Sequence, residues 1–277
     1  MIEGLNGRDN IIDDVEGLYQ KNIDYYNSIA EEKPEFDLLR LYFGEDYKIN
    51  DKIIIHQPTI QDIIDMGESR FYATIAPFTT NTTSFRVQLW DLGIDWNIIS
   101  DFELFSLLIK TVSVEDTKIF FGELDFSTFD FLAKPNGTDE PIPVLYSKKY
   151  NLEIDNEIYL KIRSYICYMF GVELKNKFTK SKELKKEIIA KERADLAEKA
   201  AKSADSSLMQ MISFALNHPG FKYKKDELRN VGYVEFLDSV KRLQIYEATR
   251  ALTQGSYSGF CDTSKIPKEE FNFMRRL

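Results

Sequence analysis

The chain has 277 residues, 43% of them aliphatic, aromatic or sulfur-bearing and 13% aromatic. That is enough apolar side chain to bury a core, which excludes disorder of the whole chain, and the length suits one large domain or two ordinary ones. The net charge of −9 is uneven: residues 1–160 hold 30 Asp and Glu against 13 Lys and Arg, and residues 161–277 hold 15 against 23, so the acidic front argues against a general nucleic-acid binder.

Residues 11–30 carry Ile11, Ile12, Val15, Leu18, Tyr19 and Ile23 near helical spacing, and Pro34 breaks the pattern. A β-rich segment is expected next. Phe36 to Phe43 is apolar, Gly44-Glu45-Asp46 is a turn signal, and Tyr47-Lys48-Ile49 and Lys52 to His56 read as strands of a small antiparallel meander. Thr59 with Asp62 forms a short capping box opening a helix through Ile60, Ile63, Ile64, Phe71 and Ile75, which Pro77 is expected to end.

Residues 84–132 read as short helices, with a capping box at Ser100-Asp101-Phe102-Glu103, a second start at Ser113 and a stop at Gly122. Asn136-Gly137 marks a hairpin in 123–150, and Pro141 and Pro143 predict that its return strand lies at an edge. Asp155 caps a helix through Phe170 that Gly171 ends. Residues 181–203, rich in Lys, Glu and Ala, predict a solvated helical connector. Leu208 to Leu216 is apolar, residues 232–252 form a last long helix, and Gly255 to Gly259 reads as a flexible turn before Phe271, Phe273 and Met274.

These elements make an α+β, predominantly helical chain: a small N-terminal antiparallel β-meander with helices, followed by an all-helical C-terminal part. The divisions are an N-terminal helical arm over 1–35, an α+β domain over 36–150 and a helical domain over 151–277 that contains the charged connector.

Catalytic and metal signatures are scarce. Cys167 and Cys261 form no CxxC, which argues against a zinc site or a disulfide framework. Cys167 sits in the apolar run Tyr165 to Phe170 as a core residue, and sparse cysteines fit a reducing compartment. His56 and His218 are isolated. Asp91, Asp95 and Asp101 around Trp90 and Trp96 match no EF-hand loop and read as turn and cap chemistry, although such a cluster could hold a divalent cation. No GxxxxGK[ST], GxGxxG or HExxH occurs. Residues 161–202 are basic but mix signs at helical spacing, which favours a salt-bridged helix over nucleic-acid contact. The N-terminus lacks an apolar h-region and no run approaches the ~18 apolar residues of a membrane span. No cofactor, metal or membrane partner is expected.

The aromatic residues are the feature folding explains least. Phe120, Phe121, Phe126, Phe129 and Phe131 lie within twelve residues; most should be core, and any left exposed would make an adhesive patch.

Two stretches carry a family resemblance. One is Asp46-Tyr47-Lys48-Ile49-Asn50-Asp51-Lys52-Ile53-Ile54-Ile55-His56-Gln57-Pro58-Thr59-Ile60-Gln61-Asp62-Ile63-Ile64-Asp65-Met66-Gly67-Glu68. The other is Tyr233-Val234-Glu235-Phe236-Leu237-Asp238-Ser239-Val240-Lys241-Arg242-Leu243-Gln244, followed by Gln254 to Gly259. Together, over about a fifth of the chain, they resemble tail assembly chaperones of tailed bacteriophages that infect Gram-positive bacteria. The resemblance implies a non-enzymatic protein of the host cell cytoplasm. Such a protein binds the long helical tape measure protein, keeps it soluble and is absent from the finished particle. The alternative at a coarser level is a structural component of the tail or the head-tail connector, found in the virion, whose partner is another tail protein or a further copy of itself. A helical chaperone covers apolar helix faces by helix-in-groove packing. On that reading Phe126, Phe129 and Phe131 of the aromatic-rich front and Phe236, Leu237, Val240 and Leu243 of the last helix are the candidate partner-binding residues.

Overall fold

The computed structural model describes residues 17, 19–24, 35–135, 141–201, 206–259 and 264–275. Most of the N-terminal arm, the hairpin tip at Asn136-Gly137 and Cys261 lie outside these residues. The fold is α+β and mostly helical, with two small antiparallel sheets.

The described part of the arm is helical at residues 17 and 19–24. The first apolar run forms a helix, α1 (Leu38–Tyr42), and not a strand. The reason is Asp37, whose carboxylate accepts the Leu39 N–H at 2.8 Å and the Arg40 N–H at 3.4 Å and so starts a helical turn. The expected N-terminal meander is correspondingly reduced to two residue pairs between β1 (Tyr47–Lys48) and β2 (Ile54–Ile55).

Thr59 and Asp62 close a full capping box on α2 (Ile60–Met66). The single helix expected here is two, because Gly67 at φ +86° ends α2 and α3 (Glu68–Thr79) restarts at once. Pro77 does not end α3 but lies inside it, buried beside Ile75 and Phe78. Burial of its ring compensates the backbone hydrogen bond it cannot donate. The short helices follow as expected: α4 (Arg86–Asp91), α5 (Asp101–Leu108), capped by Ser100 and Glu103, and α6 (Val114–Phe121), stopped by Gly122.

The larger sheet is a meander of β3 (Phe129–Lys134), β4 (Ile142–Ser147) and β5 (Leu152–Ile154), in that order. The strand carrying Pro143 is therefore central, not an edge. Pro143 pairs only with Ala133, because β5 reaches no further than Leu145. The proline thus occupies a part of β4 with a single neighbour.

Helix α7 (Asn156–Phe170), capped by Asp155, ends at Gly171 in the left-handed region. Then come α8 (Lys182–Ala201), α9 (Ser207–Asn217), α10 (Lys225–Leu228) and α11 (Tyr233–Ser258). Helix α11 runs through Gly255 and the expected flexible turn, stopping at Gly259, φ +71°.

The core does not respect a boundary at residue 150. One continuous set of buried residues runs from Phe36 to Val240. Phe71 of the front contacts Phe170 and Tyr233 of the back, and Phe120 contacts Phe170, with ring centroids between 5.6 and 6.0 Å apart. Helix α7 supplies Tyr159, Ile162, Tyr165, Ile166 and Met169 to this core and packs along α3. The backbone joins the halves too. The Tyr233 N–H donates to the Pro58 carbonyl at 2.9 Å, and Thr59 bridges Gly232.

An ion pair lies inside the body. Arg163 on α7 donates to Asp101 at 2.8 Å, with side chains 9% and 2% exposed. The second Asp101 oxygen accepts the Thr82 N–H at 2.8 Å. Replacing Arg163 with Ala leaves a buried carboxylate without its cation, so urea denaturation should show a loss of about 3–5 kcal/mol. The double change Asp101→Leu with Arg163→Met should cost less than Arg163→Ala alone, because no buried charge remains.

Candidate protein-binding surface

The carboxylates of the tryptophan-flanked segment are each held by a cation from the helical back, which leaves no acidic cluster. Asp101 holds Arg163. Asp91 pairs with Arg193 of α8. Asp95 receives Lys185 at 2.5 Å and the Tyr19 hydroxyl at 2.6 Å. Among the described residues no group of three His, Cys, Asp or Glu is placed to hold a metal ion. His56 pairs with Asp46 at 2.9 Å at the end of β2. Cys167 is buried, its Sγ 3.6 Å from the Phe78 carbonyl, and burial pushes its thiol up to about 11.

These pairs correct the reading of residues 181–203 as a solvated connector. Lys185 and Ile189 of α8 are buried. Ile189 joins Val87, Leu89, Trp96 and Leu104 in a second core. Arg86 binds Glu192 through two nitrogens, one at 2.5 Å. The Lys185 ammonium stands 5.3 Å from the Trp96 ring and 5.1 Å from that of Tyr19. After Arg193 the described side chains of α8 are exposed on every side. The helix is therefore docked on the body from Lys185 to Arg193.

The candidate partner-binding residues divide by burial. Phe126, Phe129, Phe236 and Val240 are core residues, each at most 3% exposed, and are closed to a partner in this fold. Phe126 packs against Phe121 and against Phe129 at the start of β3. Phe236 and Val240 sit on the first turns of α11, where it crosses the main core. Leu237 and Leu243 are half-buried, and Phe131 is 41% exposed.

Among the exposed apolar side chains of the described residues, two groups lie next to these candidates. The first is helical. Leu243 continues the stripe of Phe236 and Val240 beside the Gly220 turn, and Tyr246 follows one turn on. Beside it, Phe214 of α9 contacts His218, ring centroids 5.7 Å apart. His218 Nδ1 accepts the Gly220 N–H at 3.0 Å, so Nε2 carries the proton it shares with Glu247 of α11 at 3.2 Å. The C-terminal segment folds back along α11. The Arg242 guanidinium donates to the Arg275 carbonyl at 2.7 Å, the buried Thr249 hydroxyl donates to the Glu270 carbonyl at 3.0 Å, and Arg275 donates to Thr249 at 3.1 Å. That clamp sets Phe273 against Tyr246, 5.5 Å between centroids, and leaves Met274 exposed. Phe214, Leu243, Tyr246, Phe273 and Met274 thus line one flank of the helical back. The aromatic and methionine character suits an adaptable protein contact.

The second surface is the sheet edge with Phe131, Leu132 and Ile142, all exposed. The sequence pointed to Phe131 and Leu243 but not to Tyr246 or Phe214. Both were visible as apolar residues of helical runs, yet their exposure depends on where the neighbouring elements stop.

Comparison of the chain with protein-family models, with curated proteins and with solved structures finds no match.

The docking of α8 has a pH signature. Burial alone would raise Asp95, but hydrogen bonds from Lys185, Tyr19 and the Asn97 N–H outweigh it and hold the carboxyl below its ordinary value. Burial alone would lower Lys185, but Asp95 and Tyr19 hold it above its own. A depressed carboxyl contributes fully above about pH 4 and is lost as pH falls through the folded value; a raised lysine contributes fully below about pH 10 and is lost as pH rises through it. Both tryptophans of the chain, Trp90 and Trp96, sit at this contact. Tryptophan emission should therefore red-shift below about pH 4, ahead of the loss of far-ultraviolet circular dichroism. Lys185→Met should remove that early step; one transition shared by both signals in the parent chain would speak against it.

Proposed function

We propose that this chain is a non-enzymatic bacteriophage tail assembly protein, a chaperone that binds the tape measure protein while the tail is built. The proposal starts from the resemblance of Asp46–Glu68 and Tyr233–Gln244 to tail assembly chaperones. One observation carries it further: the exposed Phe214, Tyr246, Phe273 and Met274, with half-buried Leu243, give the helical back an apolar flank. A flank of this kind accepts the apolar face of a partner helix. The two resembling stretches are also in contact, through the Thr59–Gly232 bridge and the Tyr233 N–H on Pro58, so they act as one structural unit. The pairing of Lys161, Arg163, Lys185 and Arg193 with carboxylates leaves less free positive charge for nucleic acid. No helix among the described residues is long and apolar enough to cross a membrane.

The test is co-expression with the tape measure protein of the same phage. The tape measure protein should stay in the soluble fraction and co-purify with this chain. Tyr246→Asp combined with Met274→Asp should cut its recovery by about tenfold or more with the melting temperature of the chain unchanged. A tape measure protein left insoluble and unbound by the parent chain would overturn the proposal. A stoichiometric copy number in purified particles would replace it with the structural-component reading.

A further inference from the structure

The outer edge of β3 has no strand beside it among the described residues. Every residue of β3 after Phe129 is exposed. Such an edge presents a row of N–H and C=O groups that templates the addition of another strand, and protective edges usually carry charge that repels a copy of themselves. This edge does not. Its exposed run is Asp130-Phe131-Leu132-Ala133-Lys134, with opposite charges placed symmetrically about Leu132.

Two copies of one strand can pair side by side and antiparallel only about a two-fold axis perpendicular to the sheet. The axis must set a residue opposite its own copy, because facing residues share one side of the pleat. Centring on Phe131 sets Asp130 against Leu132 and draws the buried Phe129 toward the seam. Centring on Ala133 sets Lys134 against Leu132. Centring on Leu132 sets Asp130 against Lys134 of the second copy, twice, and covers Phe131 and Leu132, which are 41% and 46% exposed. We propose that β3 pairs with β3 of a second copy of this chain in the Leu132-centred register, joining two three-stranded sheets into one.

Within the chain, Asp130 faces Lys110 at 3.8 Å and Lys134 faces Glu153 at 2.8 Å. All four side chains are solvent-accessible, so re-pairing them across the seam costs little. The shared edge is short, which places the dimer at the weak, concentration-dependent end of protein association. This inference uses a different surface from the helical flank and stands independently of the tape measure proposal.

Sedimentation velocity of the full chain across a micromolar concentration series tests it. The expected result is a reversible shift from 32.3 kDa to twice that mass. Asp130→Lys should weaken the dimer about tenfold, by facing Lys134 of the second copy with a like charge, and Lys134→Asp should do the same. The double change Asp130→Lys with Lys134→Asp should restore the parent dissociation constant, which separates pairing from any effect on folding. Amides of residues 130–134 in the parent chain should gain hydrogen-exchange protection as concentration rises. A chain that stays monomeric throughout overturns the proposal. So does a dimer indifferent to both single changes, which would place the seam elsewhere.

Discussion

The Asp101–Arg163 pair is the constraint around which the rest is arranged. It joins the N-terminus of α5, the loop at Thr82 and the middle of α7 through hydrogen bonds of 2.8 Å. One turn further along α7, Cys167 lies against the Phe78 carbonyl of α3. Together these contacts set how α7 lies along α3, and that pairing fixes which aromatics meet in the core. A buried ion pair adds little net stability over an apolar replacement, because desolvation offsets the attraction. Its effect here is on register: any slide of α7 along α3 would strand two charges in an apolar surrounding.

The same logic explains the uneven charge of the chain. Asp91, Asp95 and Asp101 of the acidic front bind Arg193, Lys185 and Arg163 of the basic back, and Glu35 meets Lys161. Glu68, at the start of α3, accepts hydrogen bonds from Ser206, Ser207 and the Leu208 N–H at the start of α9. The two halves are complementary partners within one molecule. Apolar contact between them is made at Ile189 and along the Phe71, Phe120, Phe170 and Tyr233 cluster. Charge steers the helices onto the body, and the aromatic burial holds them there.

Three surface features differ in kind. The second half of α8 carries alternating charge and exposed side chains. The flank of α9, α11 and the C-terminal segment is apolar and clamped by Arg242, Thr249 and Arg275. The edge of β3 is apolar with one charge of each sign beside its centre. Side chains fastened in this way would lose little freedom if a partner covered them. An open strand edge is suited to backbone pairing instead.

Local chemistry was legible in the residues alone. The capping boxes at Thr59 and Ser100, the Asp155 cap, the Gly122 and Gly171 stops and the mostly helical α+β class all follow from side chains acting within a few residues of themselves. Where a short-range signal was weak or contested, longer-range packing prevailed. Pro77 stays helical because its ring is buried, and Pro143 is tolerated in a central strand because β5 ends before reaching it. The candidate surface was legible only in part. Phe236, Val240 and Leu243 share one stripe of α11, yet the first two are core and the third, beside the Gly220 turn, is only half-buried. Lys185 counted as solvated in the sequence and is buried in the fold, because Asp95 lies ninety residues away along the chain. The sequence by itself determined the helices, their caps and the supply of apolar and charged groups, since these depend on neighbours in the chain. Only the tertiary structure decided which aromatics are exposed and which charges pair, since burial and ion pairing depend on residues brought together from opposite ends of it.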